Sequence, residues 1–302
     1  MVKLLSIGLS GTTEQIREKL ERDCKTLTQE GFRVVIDELN KGGYTFLGLN
    51  ISDGELSFRK YEQLKNLLRN SVSQILADWI ISNEEHKLIN KIVASNYFYF
   101  SHDERATVES NALQALTASP ATRYNLILSR ILDYLNNHHE LVLDGFVNFR
   151  LKDYRLQLSQ VIDKVVDDFM MELEYKEFIR VLRYFVDVQE PRMEEAHVVI
   201  NGGGMFQIYD SQGKIINNQY LENAALQGYN AQDLSNLNYE DILISALITI
   251  APHNIMLHST NRVRDQEALD TIRSVFDGRV VLCDGCEMCK ADYTGKSNHT
   301  EL

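Results

Sequence analysis

Residues 146–189 read FVNFRLKDYRLQLSQVIDKVVDDFMMELEYKEFIRVLRYFVDVQ, the longest run of helical periodicity in the chain. Tyr154, Leu158, Val161 or Ile162, Val165, Phe169 and Leu173 recur at steps of three and four, which lines one helix face with apolar groups. Charged residues fall between them. A second stripe, Phe178, Leu182, Phe185 and Val186, is offset from the first across Glu174 to Glu177, and this predicts two helices or one bent helix. Pro191 closes the run, because proline lacks the N–H a continuing helix needs. The remaining segments are placed relative to this spine.

On its N-terminal side the texture is helical back to about residue 56. Ser82 with Glu85 and Ser101 with Glu104 have capping-box spacing, and Ser119-Pro120 supplies a cap followed by proline at the first helical position. Helices are expected over residues 61–81, 83–97, 102–118 and 120–137. Trp79 reads as core with Leu68, Val72, Ile75 and Leu76, and the aromatic run Tyr97 to Phe100 reads as burial between helices. Further back lies a strand over 3–10 and a helix from Thr12, with Gln15 at capping-box spacing, to Gly31. Two strands follow, 33–39 and 44–51, joined through Asn40-Lys41-Gly42-Gly43. This is a small βαββ unit. Cys24 shares the helix stripe of Ile16, Leu20 and Leu27, a packing position.

On the C-terminal side of Pro191 the period switches to that of strands. Residues 197–201 and 205–209 form a hairpin around Gly202-Gly203-Gly204, and Asp210 to Gly213 turns into a strand at 214–216. Residues 217–238 have poor periodicity and read as a loop or loose helix. A helix over 242–250 stops at Pro252. Strand 254–258, an amphipathic helix over 265–276 with Ala268, Leu269, Ile272 and Phe276 inward, and strand 279–282 imply a right-handed βαβ crossover with parallel pairing. In parallel sheets ligand groups collect beyond the carboxyl ends of the strands. His258 ends one of these strands and a cysteine cluster ends the other.

That cluster, Cys283-Asp284-Gly285-Cys286-Glu287-Met288-Cys289, spaces three thiols as C-x2-C-x2-C. Thiolates two residues apart converge on one ion when the turn between them is tight, and Gly285 permits such a turn. A tetrahedral ion needs a fourth ligand, which His258 or the tail residue His299 can supply. Zinc or another structural metal, an Fe–S cluster, and a reduced metal-free set of thiols all stay open at this point. The bacterial ferredoxin run has the same spacing for its first three cysteines, but here the fourth is missing.

Composition narrows the function classes. With 44% hydrophobic and 25% charged residues, the chain has the make-up of an ordinary globular protein, and no apolar run approaches the roughly 20 residues that span a bilayer. The N-terminus lacks the features of a secretory leader. A net charge of −12 argues against general nucleic-acid affinity. Three of the four cysteines packed into seven residues differ from a spread-out disulfide framework. These features point to a cytoplasmic protein. No hydrolytic set is evident. Ser245 sits mid-helix, Asp167-Asp168 and Glu194-Glu195 read as solvated charges, and His138-His139 reads as a helix-end cap. Arg150, Arg155, Arg180 and Arg183 read as internally paired with Asp153, Glu177 and Asp187.

FVNFRLKDY, EYKEFIRVLRYFVDVQEP, NYEDILISALITIAPHNIMLHS and RVVLCDGCEMC together resemble the YtxC family of sporulation proteins from endospore-forming Bacillota. The likeness runs from Phe146 to Cys289. It implies a cytoplasmic protein needed in a sporulating lineage and supplies no reaction or catalytic residue. The expected fold is mixed α+β and α/β. It comprises a βαββ unit over residues 1–55, a helical region over 56–190, and a C-terminal α/β domain over 191–302 that carries the cysteine cluster. The expected function is a non-enzymatic interaction protein with a protein partner and a structural metal held by Cys283, Cys286, Cys289 and His258. The alternatives are a metal-dependent enzyme at the C-terminal strand ends and a nucleic-acid accessory factor.

Overall fold

The computed structural model describes residues 2–11, 13–51, 57–200, 206–216, 239–258 and 266–290. The expected Thr12 cap, the Gly202-Gly203-Gly204 turn, the loop over 217–238 and His299 lie outside the described residues, as does the side chain of Ala268. The fold is α+β, with two mixed sheets. The chain divides into two compact units, Met1–Met170 and Met171–Leu302, so the expected helical region over 56–190 is shared between them.

The first unit opens with strand β1 (Val2–Leu9), helix α1 (Glu14–Gln29), and strands β2 (Val34–Lys41) and β3 (Tyr44–Ile51). This is the βαββ unit read from the sequence. Gly42 and Gly43, with φ of +60° and +80°, make the two-residue turn whose left-handed geometry matches the twist of a hairpin. Cys24 is buried in α1, where burial and nearby Asp23 push its thiol up to about 11. The sheet has a fourth strand that the local pattern did not announce. The segment β4 (Glu140–Val142) pairs parallel to β1, giving the order β2-β3-β1-β4. His139 belongs to this junction, its carbonyl accepting from the Ser6 N–H at 2.8 Å.

Helices α2 (Phe58–Trp79), α3 (Glu85–Asn96), α4 (His102–Leu116) and α5 (Pro120–Asn137) fill the expected stretch. Ser101 and Glu104 form a reciprocal capping box. Ser82 and Glu85 do not. Residues Ile80–Glu84 form a π-helical turn that carries α2 directly into α3, so no free N–H groups are left there for a cap. The turn delivers Glu85 into the interior, where its carboxylate accepts from Arg123 and from the buried Tyr154 hydroxyl. Phe100 is buried, but Phe98 and Tyr99 are 74% and 62% exposed, so the aromatic run is only partly a core element. Trp79 is half-buried at the end of α2.

The spine is a short helix α6 (Leu143–Phe149) followed by one 37-residue helix, α7 (Lys152–Val188). Tyr154, Leu158, Ile162, Val165 and Phe169 are buried as the first stripe predicts. In the second stripe Val186 is buried and Leu182 half-buried, with Ile179 joining them, whereas Phe178 and Phe185 are exposed. The offset between the stripes therefore marks a change of core rather than a break in the helix. The spine arginines are engaged internally, often with partners other than those expected. Arg180 pairs with Glu177 at 2.6 Å and Arg183 with Asp277 at 3.3 Å, while Asp153 pairs with Arg130 and Asp187 with Arg279.

The second unit contains β5 (Met193–Ile200), β6 (Phe206–Tyr209), α8 (Tyr239–Ile250), β7 (Pro252–His258), α9 (Gln266–Val275), β8 (Val280–Leu282) and a last short helix α10 (Glu287–Lys290). Its strand order is β6-β5-β7-β8, with β5, β7 and β8 parallel and β6 antiparallel to β5. The predicted crossover is present. The expected strand at 214–216 reduces to a single bridge between Ile215 and Tyr209. Leu243, Leu247, Ile255, Leu257, Ile272 and Phe276 form the core with Ile179 and Val186.

Candidate metal centre

Parallel pairing of β7 with β8 places Leu257 beside Leu282. His258 and Cys283 thus leave the same sheet edge from adjacent strands. The Cys283 N–H donates to the Leu257 carbonyl at 2.9 Å, extending the ladder by one bond and fixing where the cysteine segment begins. The chain then turns through Gly285 at φ +125°, a conformation a side chain would strain. Cys286 follows, and its carbonyl accepts from the Cys289 N–H at 3.2 Å, which winds the C-x2-C segment into α10.

The turn brings four donor atoms together. Nδ1 of His258 and the Sγ atoms of Cys283, Cys286 and Cys289 all lie within 4.8 Å of one another. Cys286 Sγ is 3.3 Å and Cys289 Sγ 3.6 Å from His258 Nδ1. Cys289 Sγ is 3.9 Å from Cys286 Sγ and 3.7 Å from Cys283 Sγ. A tetrahedral zinc with ordinary bond lengths would set S···S edges of about 3.8 Å and S···N edges of about 3.6 Å. The observed separations have that size, and this His–Cys cluster could hold a metal ion.

His258 is 3% exposed and the three cysteines are half-buried. At Cys283 a hydrogen bond from the Gly285 backbone favours the thiolate. Burial and the neighbouring Cys286 and Cys289 sulfurs outweigh it and hold the thiol above its usual range.

Behind the sulfurs lies a polar line that the sequence reading missed. The other ring nitrogen of His258, Nε2, is 3.1 Å from Nδ1 of His197. His197 Nε2 is in turn 3.8 Å from a Glu195 carboxylate oxygen. Strand alternation puts Glu195 and His197 on one face of β5, and β5 lies parallel beside β7, with Val199 opposite His258. Glu195 is therefore more than a solvated charge. The motif Glu-x-His was visible, but the register that aims it at His258 was not. Cys24 is remote from this cluster in sequence and lies in the first unit. Ser245 has no histidine or carboxylate among its described hydrogen bonds; its carbonyl accepts from Thr249.

Fold and site together define an α+β protein with a Cys3His cluster competent to hold a metal ion. The model of the YtxC-like family matches residues 70–281, and the chain belongs to that family. The match starts earlier than the phrases that suggested it and includes His197 and His258, while the three cysteines lie beyond its end. A Bacillus subtilis (strain 168) protein described as "Uncharacterized protein YtxC" is 24% identical over 222 residues, covering 68% of this chain and 74% of its own length. No solved structure matches. Among the described residues no helix is long and apolar enough to cross a membrane.

Proposed function

We propose that the protein is a non-enzymatic, cytoplasmic, sporulation-associated interaction protein whose C-terminal unit is pinned by a structural zinc ion on Cys283, Cys286, Cys289 and His258. Four donor separations of 3.3–3.9 Å, with the other two inside 4.8 Å, carry this reading. Four ligands from one chain fill a zinc shell and leave no position for an activated water, which favours a structural over a catalytic ion. A single ion also suits the sulfur spacing better than a 4Fe–4S cluster, in which each cysteine binds a separate iron and the thiolates stand farther apart. The ion would join the end of β7 to a segment with little apolar surface of its own, so its binding energy is folding energy there. The sporulation context rests on the family resemblance.

Metal analysis and an absorption spectrum on anaerobically purified protein test the assignment. One equivalent of colourless zinc, lost in the C283S/C286S/C289S variant together with a fall in melting temperature, is the expected result. A brown, iron-containing sample would replace zinc with a cluster. Unchanged metal content and melting temperature in the variant would sink the proposal.

A further inference from the structure

The four donors of the candidate metal centre come from two kinds of backbone. His258 ends β7, and Cys283 is tied beside it by its N–H bond to the Leu257 carbonyl at 2.9 Å, so both belong to the sheet edge. Cys286 and Cys289 come from the turn beyond Gly285 and from α10, a helix of only four residues. Exposure divides the site as well. His258 is 3% exposed and backed by His197, whereas the three cysteines are half-buried and within reach of small solutes.

The sulfurs also stand close to one another. Cys289 Sγ is 3.9 Å from Cys286 Sγ and 3.7 Å from Cys283 Sγ. A disulfide needs an S–S distance of about 2.05 Å, so a small movement closes either gap. Bridging Cys286 to Cys289 moves only the turn and α10, because two residues separate the pair. Bridging Cys283 to Cys289 pulls on a residue that the strand ladder holds. The backbone thus favours the first pair.

We infer that the centre is a peroxide-responsive zinc switch, in which oxidation joins Cys286 to Cys289, expels the ion and unties α10 from the end of β7. The inference rests on the zinc reading above. Zinc holds its cysteine ligands as thiolates, the form that attacks an oxidant. One thiolate of the pair attacks hydrogen peroxide, breaking the O–O bond to give a sulfenic acid and hydroxide. The other thiolate then attacks that sulfur, forming the S–S bond and releasing a second hydroxide. Two electrons pass from the two sulfurs to the peroxide. Cys283 and His258 remain on the sheet edge, and two ligands are too few for a structural zinc shell. A bridge on a short, accessible turn stays open to attack by a dithiol, so reduction in the presence of zinc restores the centre.

Treating the zinc-loaded full-length chain with hydrogen peroxide beside a chromophoric chelator tests the switch. One zinc ion per chain should be released as the thiol count, titrated after denaturation, falls from four to two. Peptide mapping should find Cys286 joined to Cys289, and the melting temperature should fall with loss of the ion. Dithiothreitol and zinc should reverse all of these changes. Cys289→His keeps four ligands as a Cys2His2 set and removes the sulfur that lies within 3.9 Å of both others. That variant should bind zinc and keep it through the same treatment. Zinc that stays bound while the thiols oxidise, zinc lost without a disulfide, a bridge to Cys283, or a Cys289→His chain that gives up zinc as fast as the parent overturns the switch alone. A chain that holds no zinc before oxidation overturns the zinc reading itself, and the switch with it.

Discussion

His258 is the residue on which the candidate metal centre turns. It presents Nδ1 to the sulfurs and Nε2 to His197, so its two nitrogens have separate tasks. Metal-bound histidines need such a partner to fix ring orientation and tautomer. His197→Ala should lower zinc affinity by about 10- to 100-fold while leaving secondary structure intact, and competition with a chromophoric chelator at fixed pH measures it. An unchanged affinity would mean that the cysteine turn alone orients the ring. The cysteines were legible because three thiols within seven residues are a local signal, and His258 followed from strand order. His197 depended on register between β5 and β7, which no local pattern encodes.

Among the elements, the π-helical turn between α2 and α3 has the clearest consequence. The extra residue in that turn rotates the following helix and sends Glu85 inward to Arg123 and Tyr154. Taking a charge out of water is tolerable only while its partner remains. Arg123→Met leaves the Glu85 carboxylate buried with only the Tyr154 hydroxyl, and should cost about 3–5 kcal/mol of stability. Tyr154→Phe should cost about 1–2 kcal/mol. Urea denaturation followed by circular dichroism gives both values, and near-equal costs would argue that the ion pair is solvated after all. The same turn explains why Ser82 and Glu85 misled. Capping-box spacing marks a helix start only where the chain has first stopped being helical. In α7 the inverse occurred, because a shift in apolar phase allowed a reading as two helices where one helix serves two cores.

At the scale of the whole molecule, the two units have separate hydrophobic cores, and α7 supplies side chains to each. The four residues of the proposed metal site all belong to the second unit. Removing a structural ion should destabilise the unit that binds it far more than the other. Calorimetry is therefore expected to resolve two unfolding transitions, with a strong zinc chelator lowering one and leaving the other in place. A single transition that moves as a whole would show that α7 couples the cores into one cooperative unit. The general α+β layout was legible from periodicity and turn residues. Pairings between distant segments were not, because local spacing sets where a strand lies but not which neighbour it finds.

The parallel pairing of β1 with β4 bears on how the protein is made. During synthesis, the first strands can form their hairpin sheet early, but the far edge of β1 must wait until residues 140–142 leave the ribosome. Until then an apolar strand keeps an unpaired backbone edge, the kind of surface that invites other nascent chains. The long helical insertion between the two strands thus sets a delay, during which that edge of β1 stays open.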